Sequence, residues 1–434
     1  AAANSWQYLV AAKSRRHHGW IVVVVLVVVV FGWLWSARLA DSDDGGCLGL
    51  WDNPLFQSPM RNYLSFSDED QNELQKSAFC WWRMPEEFDK NGHFKIDISD
   101  FSNLTPRIKV LRELERLSFV AVEGLEDLRH KLISYRSGDF WLPVGGIKKE
   151  DMDIPAAVTI LLVGTSGSGK SSFVNLMYNV LGRSGLIPFA QTSGESSNYT
   201  TMFLEEHNVL RSPRSGFCVY DTRGLDQNQM NDGLEDVSTW MSTGVRHNQP
   251  CYRPGDEIGG SMELSNSRYV KRKVNCVMVV ADLSEIHKAF ICGDLKPVEA
   301  LRDLFHLPSI KKCNENPILI LTHGDTLNAE DRINGRLKIC EYLGIPETTG
   351  AYDIACLTEQ GILPEESDPV TSFAMTEAIC RALLQSDRTF IPKKKFMDWV
   401  VLIFSWIMWC LACFFAILAH FFSKFGPHQD KLKL

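Results

Sequence analysis

Residues 157–172 read Ala157-Val158-Thr159-Ile160-Leu161-Leu162-Val163-Gly164-Thr165-Ser166-Gly167-Ser168-Gly169-Lys170-Ser171-Ser172. The first seven are an apolar run with the character of a strand covered on both faces. The run passes directly into a glycine-serine segment spaced G-x-x-x-x-G-K-S/T, and a helix-compatible stretch follows from Ser171. Glycines are needed where the backbone must curl with its N–H groups turned inward around an anion, a conformation that side chains obstruct. Lys170 then supplies positive charge to the β- and γ-phosphates, and Ser171 a hydroxyl ligand for Mg²⁺. The positive end of the helix dipole adds to both, with Ser172 in its first turn. A glycine-serine turn that matches by chance is the rival reading, and the strand before and helix after speak against it.

Outward from this loop, strand-like and helix-like runs alternate. Strands are expected at residues 157–163, 217–220, 274–281, 317–321 and 352–357, and helices at 171–181, 298–305, 329–343 and 370–384. Apolar strands between helices imply an α/β three-layer sandwich with a mostly parallel sheet, the P-loop NTPase architecture. In such a sheet the ligand lies beyond the carboxyl ends of the strands.

Two further motifs sit at strand ends. Asp221-Thr222-Arg223-Gly224 follows the run at 217–220. In this D-x-x-G arrangement the carboxylate holds Mg²⁺ through water and the glycine N–H meets the γ-phosphate. Thr322-His323-Gly324-Asp325 closes the run at 317–321. Asp325 there offers two carboxylate oxygens to the N1–H and N2–H₂ edge of guanine, a donor pair that adenine lacks. The expected ligands are therefore GTP or GDP with Mg²⁺.

The order and spacing of these motifs resemble a GTPase of the TRAFAC class, nearest to its septin-like branch, which includes immunity-associated GTPases and plastid protein-import receptors. The resemblance covers about residues 155–384. It implies that Leu321-Thr322-His323-Gly324-Asp325 is the base-recognition motif and Asp221-Thr222-Arg223-Gly224-Leu225 the D-T-P-G-L switch. His323 stands where many GTPases carry Lys, and Arg223 where Pro is common. A switch threonine that completes the Mg²⁺ site is expected between the first helix and the second strand, at Thr200 or Thr201. A later base-contact loop is expected near Cys356 or Leu357.

Leu225 follows Gly224 where Ras-like enzymes place the glutamine that orients the attacking water. Slow intrinsic hydrolysis is the consequence, unless a partner or a second copy completes the site. The leading reading is a membrane-anchored GTPase switch working through dimerisation or partner recruitment. A nucleotide-binding scaffold that rarely hydrolyses is the alternative. An ATP-driven transporter subunit would need an L-S-G-G-Q signature, which the sequence lacks.

Membrane attachment is read from the two ends. Residues 20–37 hold a nearly pure Val/Ile/Leu run and residues 399–422 a longer Trp/Phe/Leu/Ile run. Each approaches the ~20 residues that a helix needs to cross a bilayer. For the first run a signal peptide stays open, because Lys13, Arg15 and Arg16 precede it, and so does a buried strand or hairpin element, because β-branched residues favour sheets. Those basic residues suggest a cytoplasmic N-terminus, whereas Lys393, Lys394 and Lys395 before the second span pull the other way. A cytosol-facing GTPase domain on the endoplasmic reticulum or an organelle outer membrane is the expectation. Twelve scattered cysteines fit reduced thiols in that compartment. A net charge of −8 without a basic aromatic stripe speaks against nucleic-acid binding.

The chain thus divides into an N-terminal segment (1–19), a first span (20–37), a mixed, partly helical region (41–153), the GTPase domain (155–390), a second span (399–422) and a short tail (423–434). In the mixed region Leu111, Leu114, Leu117, Val122, Leu125, Leu128 and Leu132 recur at roughly helical spacing. They predict one long helix, or two broken near Gly124, packed against the nucleotide domain or paired with a second copy. Asp89-Lys90-Asn91-Gly92 fails the calcium-loop spacing and reads as a solvated turn between short strands.

Overall fold

The computed structural model describes residues 80–95, 104–143, 147–182, 189–192, 201–210, 215–251, 269–313, 316–356, 368–393 and 396–425. The apolar run at 20–37, Thr200, Leu357 and the last residues of the tail lie outside them. Described residues 80–392 belong to one compact unit, and the C-terminal helix is described by itself.

A long helix α1 (Pro106–Ser134) comes first. The core then runs β1 (Val158–Val163), α2 (Lys170–Gly182), β2 (Phe203–His207), β3 (Phe217–Asp221), α3 (Met230–Thr243) and β4 (Gln249–Pro250). It continues through β5 (Cys276–Asp282), α4 (Leu283–Cys292), α5 (Lys296–Phe305), the single turn α6 (Pro308–Lys311) and β6 (Ile318–Thr322). It closes with α7 (Ala329–Leu343), β7 (Ala351–Asp353) and α8 (Pro369–Arg388). The described strands form a seven-stranded sheet in the order β4-β2-β3-β1-β5-β6-β7. From β3 through β7 every pairing is parallel, and β2 and β4 are antiparallel at one edge. This is the mostly parallel P-loop architecture that the alternating runs predict.

The two-residue period of β1 divides the core into layers. Val158, Ile160 and Leu162 face a cluster with Phe173, Val174 and Met177 of α2 and Met375, Ile379 and Leu383 of α8. Leu161 and Val163 face the other side, against Val237 and Trp240 of α3, Ile286 of α4, Leu301 and Leu304 of α5 and Ile339 of α7. Both faces are packed with buried apolar side chains, so each turn at a strand's carboxyl end is supported from below.

Several details depart from the sequence reading. α1 continues through Gly124 without a break. A Cβ there would come 2.8 Å from Cε2 of Phe373, so the glycine lets α8 approach instead of ending a helix. Val122, expected on the buried face, is 58% exposed. The last strand stops at Asp353. β2 was missed because its sequence, Phe-Leu-Glu-Glu-His, carries the half-buried polar pattern of a strand near a sheet edge. α4 was missed because it starts at the residue after β5, with Asp282 accepting from the Ser284 and Glu285 amides as its cap.

α1 and the segment before it pack on α7 and α8 through a third cluster containing Trp82, Phe88, Leu111, Leu114, Ile333 and Phe373. Glu115 of α1 accepts from Trp82 Nε1 at 3.0 Å and from Arg83 Nη2 at 2.6 Å. The far end of α1 is pinned by Asp387, which accepts from Tyr135 Oη and the Gly138 and Phe140 amides at 2.8–3.0 Å. Asp89 accepts from the Asn91 and His93 amides, and Phe88 and Phe94 bridge, which is the solvated turn expected there.

α9 (Phe396–Phe425) contains a 24-residue apolar window, Trp399–Phe422, with no side chain buried in protein. At about 1.5 Å per residue it is longer than the ~30 Å hydrocarbon core of a bilayer.

Candidate functional site

The parallel strands β1, β3, β5, β6 and β7 all end at the same edge of the sheet. Gly164 leaves β1 so close to β5 that a Cβ would come 2.1 Å from the Val280 carbonyl oxygen. Gly167 and Gly169 take φ of +77° and +82°, a region that L side chains rarely enter. The loop therefore curls as the spacing requires. Thr165 and Ser168 are buried, Ser166 is exposed, and Ser172 lies half-buried in the first turn of α2.

Lys170 is 6% exposed and folds back over the loop. Its Nζ donates to the Thr165 carbonyl at 2.8 Å and the Gly164 carbonyl at 3.2 Å, with Ser168 Oγ at 3.3 Å. A fixed ammonium is thus carried inside the curl.

Ser171 Oγ donates to Asp221 Oδ2 at 2.6 Å. Asp221 is buried at the end of β3, and its Oδ1 has no hydrogen-bond partner among the described residues. Burial pushes this carboxyl above the usual carboxylate range, against the opposing pulls of the Ser171 hydrogen bond and the Lys170 charge. A buried carboxylate with one oxygen unsatisfied, beside a serine hydroxyl, fits a divalent cation with oxygen ligands. Thr201, half-buried, leads into β2, next to β3.

The loop after β3 is tied to the phosphate loop by backbone. Leu225 N–H donates to the Gly164 carbonyl at 3.0 Å, and its carbonyl accepts from Ser166 N–H at 2.9 Å. A Cβ on Gly224 would come 2.5 Å from Ser166 Cα, so only glycine permits this approach. Thr222 Oγ1 donates to the Leu162 carbonyl at 2.7 Å, and buried Arg223 donates to the Cys251 carbonyl at 2.9 Å. Arg223 is consequently an anchor between this loop and the β4 edge. Leu225 is 1% exposed and belongs to the apolar layer with Leu161 and Trp240. Gln227 donates to Glu285 Oε1 at 2.7 Å, and Gln229 is exposed at the end of the same turn.

At the end of β6, Thr322 Oγ1 donates to the Ser168 carbonyl at 2.9 Å, with the Ala281 carbonyl at 3.1 Å as a second acceptor. This joins the base-motif loop to the phosphate loop. His323 has φ of +54°, and its Nδ1 lies 3.0 Å from Thr322 Oγ1 and 3.4 Å from Asp282 Oδ2. Gly324 is buried and Asp325 exposed. The Cys356 thiol, in the segment after β7, is pushed up by burial first and then by the negative charge of Asp325.

Gly164 to Ser172, Asp221, Gly224, Thr322, His323 and Asp325 are therefore gathered at one end of the sheet. Sequence reasoning missed Asp282, which reaches the site by capping α4, and the ion pair of Arg332 with Asp353 beneath Gly324. An acid closing the apolar strand, as Asp221 closes β3, was the available signal for Asp282 and Asp353.

No family model and no curated protein matches the chain. Among solved structures it is similar to a dimerisation-deficient mutant of Toc33 from Arabidopsis thaliana, at 14% identity over 60% of this chain and 93% of that one, TM-score 0.31. It is also similar to a probable GTP-binding protein EngB, at 14% identity over 46% of this chain and 89% of that one, TM-score 0.24. Both scores are low, and the P-loop fold rests on the strand order and loop geometry given above.

Proposed function

We propose that the chain binds GTP with Mg²⁺ and works as a slow GTPase switch anchored in a membrane. The observation that carries this reading is the joining of three motifs by direct hydrogen bonds, Ser171 to Asp221 and Thr322 to Ser168. Phosphate, cation and base recognition are thereby supported on one rigid edge.

In this reading the amides and hydroxyls of Gly164, Thr165, Ser166, Gly167, Ser168 and Gly169 with Lys170, Ser171 and Ser172 hold the phosphates. Ser171 and Asp221 would hold Mg²⁺, with Thr201 or Thr200 as a further hydroxyl ligand. Bound there, the cation would supply positive charge against the phosphates. Gly224 N–H meets the γ-phosphate, and Thr322, His323 and Asp325 select guanine. Water attacks the γ-phosphorus, the bond to the bridging oxygen breaks, and GDP and phosphate leave. Leu225 faces the core and Gln227 is engaged by Glu285, which supports slow turnover in a single copy. The same observation favours, as a second reading, a scaffold that binds without hydrolysing.

α9 supports membrane attachment, with the GTPase domain on the cytosolic side, where GTP is abundant. Protease protection of intact membranes, probed with an antibody to the middle of the chain, tests that orientation. GTP binding and turnover of the wild type against Lys170→Ala, at low and high protein concentration, test the switch. Binding lost in the variant with turnover rising with concentration is expected. Near-zero turnover in both proteins would instead favour the scaffold.

A further inference from the structure

The base-motif loop rests on a residue that none of the nucleotide motifs contains. Arg332, in the first turns of α7, sends Nε to Asp353 Oδ2 and Nη2 to Asp353 Oδ1, both at 2.7 Å. The side chains of this pair are 7% and 2% exposed. Gly324 lies directly on the fork: a Cβ there would come 2.6 Å from Arg332 Nε and 2.9 Å from Asp353 Oδ1. Arg332 is therefore the floor under the residue that precedes Asp325.

The Arg332 guanidinium also lies 3.8 Å from the ring centroid of Trp81, a residue of the segment before α1. Planar contact with an aromatic face fixes the guanidinium without competing for its hydrogen bonds to Asp353. A second tie runs alongside. Arg107 of α1 bonds Glu87 at 2.7 Å and Glu330, in the first turn of α7, at 2.5–2.9 Å. The region before the core thus grips the start of α7.

We infer that Trp81 is a positioning residue for guanine recognition, acting through Arg332 on the Gly324-Asp325 turn. The inference rests on the guanine reading of Asp325. Its consequence is specific: loosening Trp81 frees the Gly324-Asp325 turn and leaves the phosphate loop intact, because Thr322, which ties the two, is held by the Ser168 and Ala281 carbonyls, and neither those bonds nor the Ser171–Asp221 and Lys170 contacts pass through Arg332.

The test measures GDP and ADP dissociation constants for the full chain in detergent, as wild type, Trp81→Leu and Trp81→Phe. Leucine keeps an apolar cover and removes the π face, whereas phenylalanine keeps both. Expected for Trp81→Leu is a loss in GDP affinity of about threefold to tenfold, the scale of a cation–π contact that is only partly desolvated, with ADP affinity unchanged. Trp81→Phe should retain most of the preference for GDP. Parallel weakening of both nucleotides, or a preference unchanged in Trp81→Leu, overturns the inference while leaving the guanine reading standing. A wild type without preference for GDP removes both. If Trp81→Leu does not melt cooperatively, Arg332→Lys, which keeps the charge and loses the fork, is read by the same two constants.

Discussion

The Ser171 hydroxyl is hydrogen-bonded to Asp221 at 2.6 Å, and the other carboxylate oxygen of Asp221 is buried without a partner among the described residues. Asp221→Asn therefore has two separable effects. Folding raises the carboxyl above its ordinary pKa, so its contribution to stability is present below that ordinary value and is lost as pH rises through the raised one. Calorimetry of the metal- and nucleotide-free wild type should show this decline, and Asp221→Asn should lack it. In the same variant the gain in GDP affinity on adding Mg²⁺ should shrink by about 10- to 100-fold, the usual scale for losing a cation's carboxylate support. An unchanged Mg²⁺ gain would remove Asp221 from the cation site.

Restoring a glutamine after Gly224 should not restore catalysis. The backbone of Leu225 is bonded to Gly164 and Ser166 on both sides, which sends its side chain into the apolar layer. Leu225→Gln is expected to lose about 2–3 kcal/mol of stability through lost burial and an ill-satisfied amide. Single-turnover hydrolysis should stay near the unassisted scale, on the order of 10⁻⁴ s⁻¹. A large acceleration in quenched-flow measurements would refute this orientation.

Asp325 is exposed beside a rigid turn, so substitution there should change selectivity without unfolding the chain. Asp325→Asn should weaken GDP by about tenfold or more, the worth of a charged hydrogen-bond pair, and improve xanthosine diphosphate. Competition binding reads both. Unaltered GDP affinity would take Asp325 out of the site.

Gly124 sits where α1 meets Phe373 of α8, and a Cβ would come 2.8 Å from the ring. Gly124→Val is expected to destabilise by about 1–3 kcal/mol through overpacking, read by urea unfolding. A stabilised variant would mean that the ring moves aside freely.

The nucleotide motifs were legible in the sequence because each is a demand of the local backbone. Gly167 and Gly169 take positive φ, Gly164 and Gly224 allow close approach, and an acid follows an apolar strand at Asp221. Such demands are met by residues a few positions apart, so spacing carries them. The central strands were legible for the same reason, as unbroken apolar runs. Local spacing could not say that Gly124 marks a helix contact, that β2 pairs antiparallel beside β3, or that Arg223 reaches Cys251. Nor could it bring Trp81 onto Arg332 under Gly324. Those relationships join residues far apart in the chain, and only packing of the layers, driven by burial of both sheet faces, decides which side chains meet.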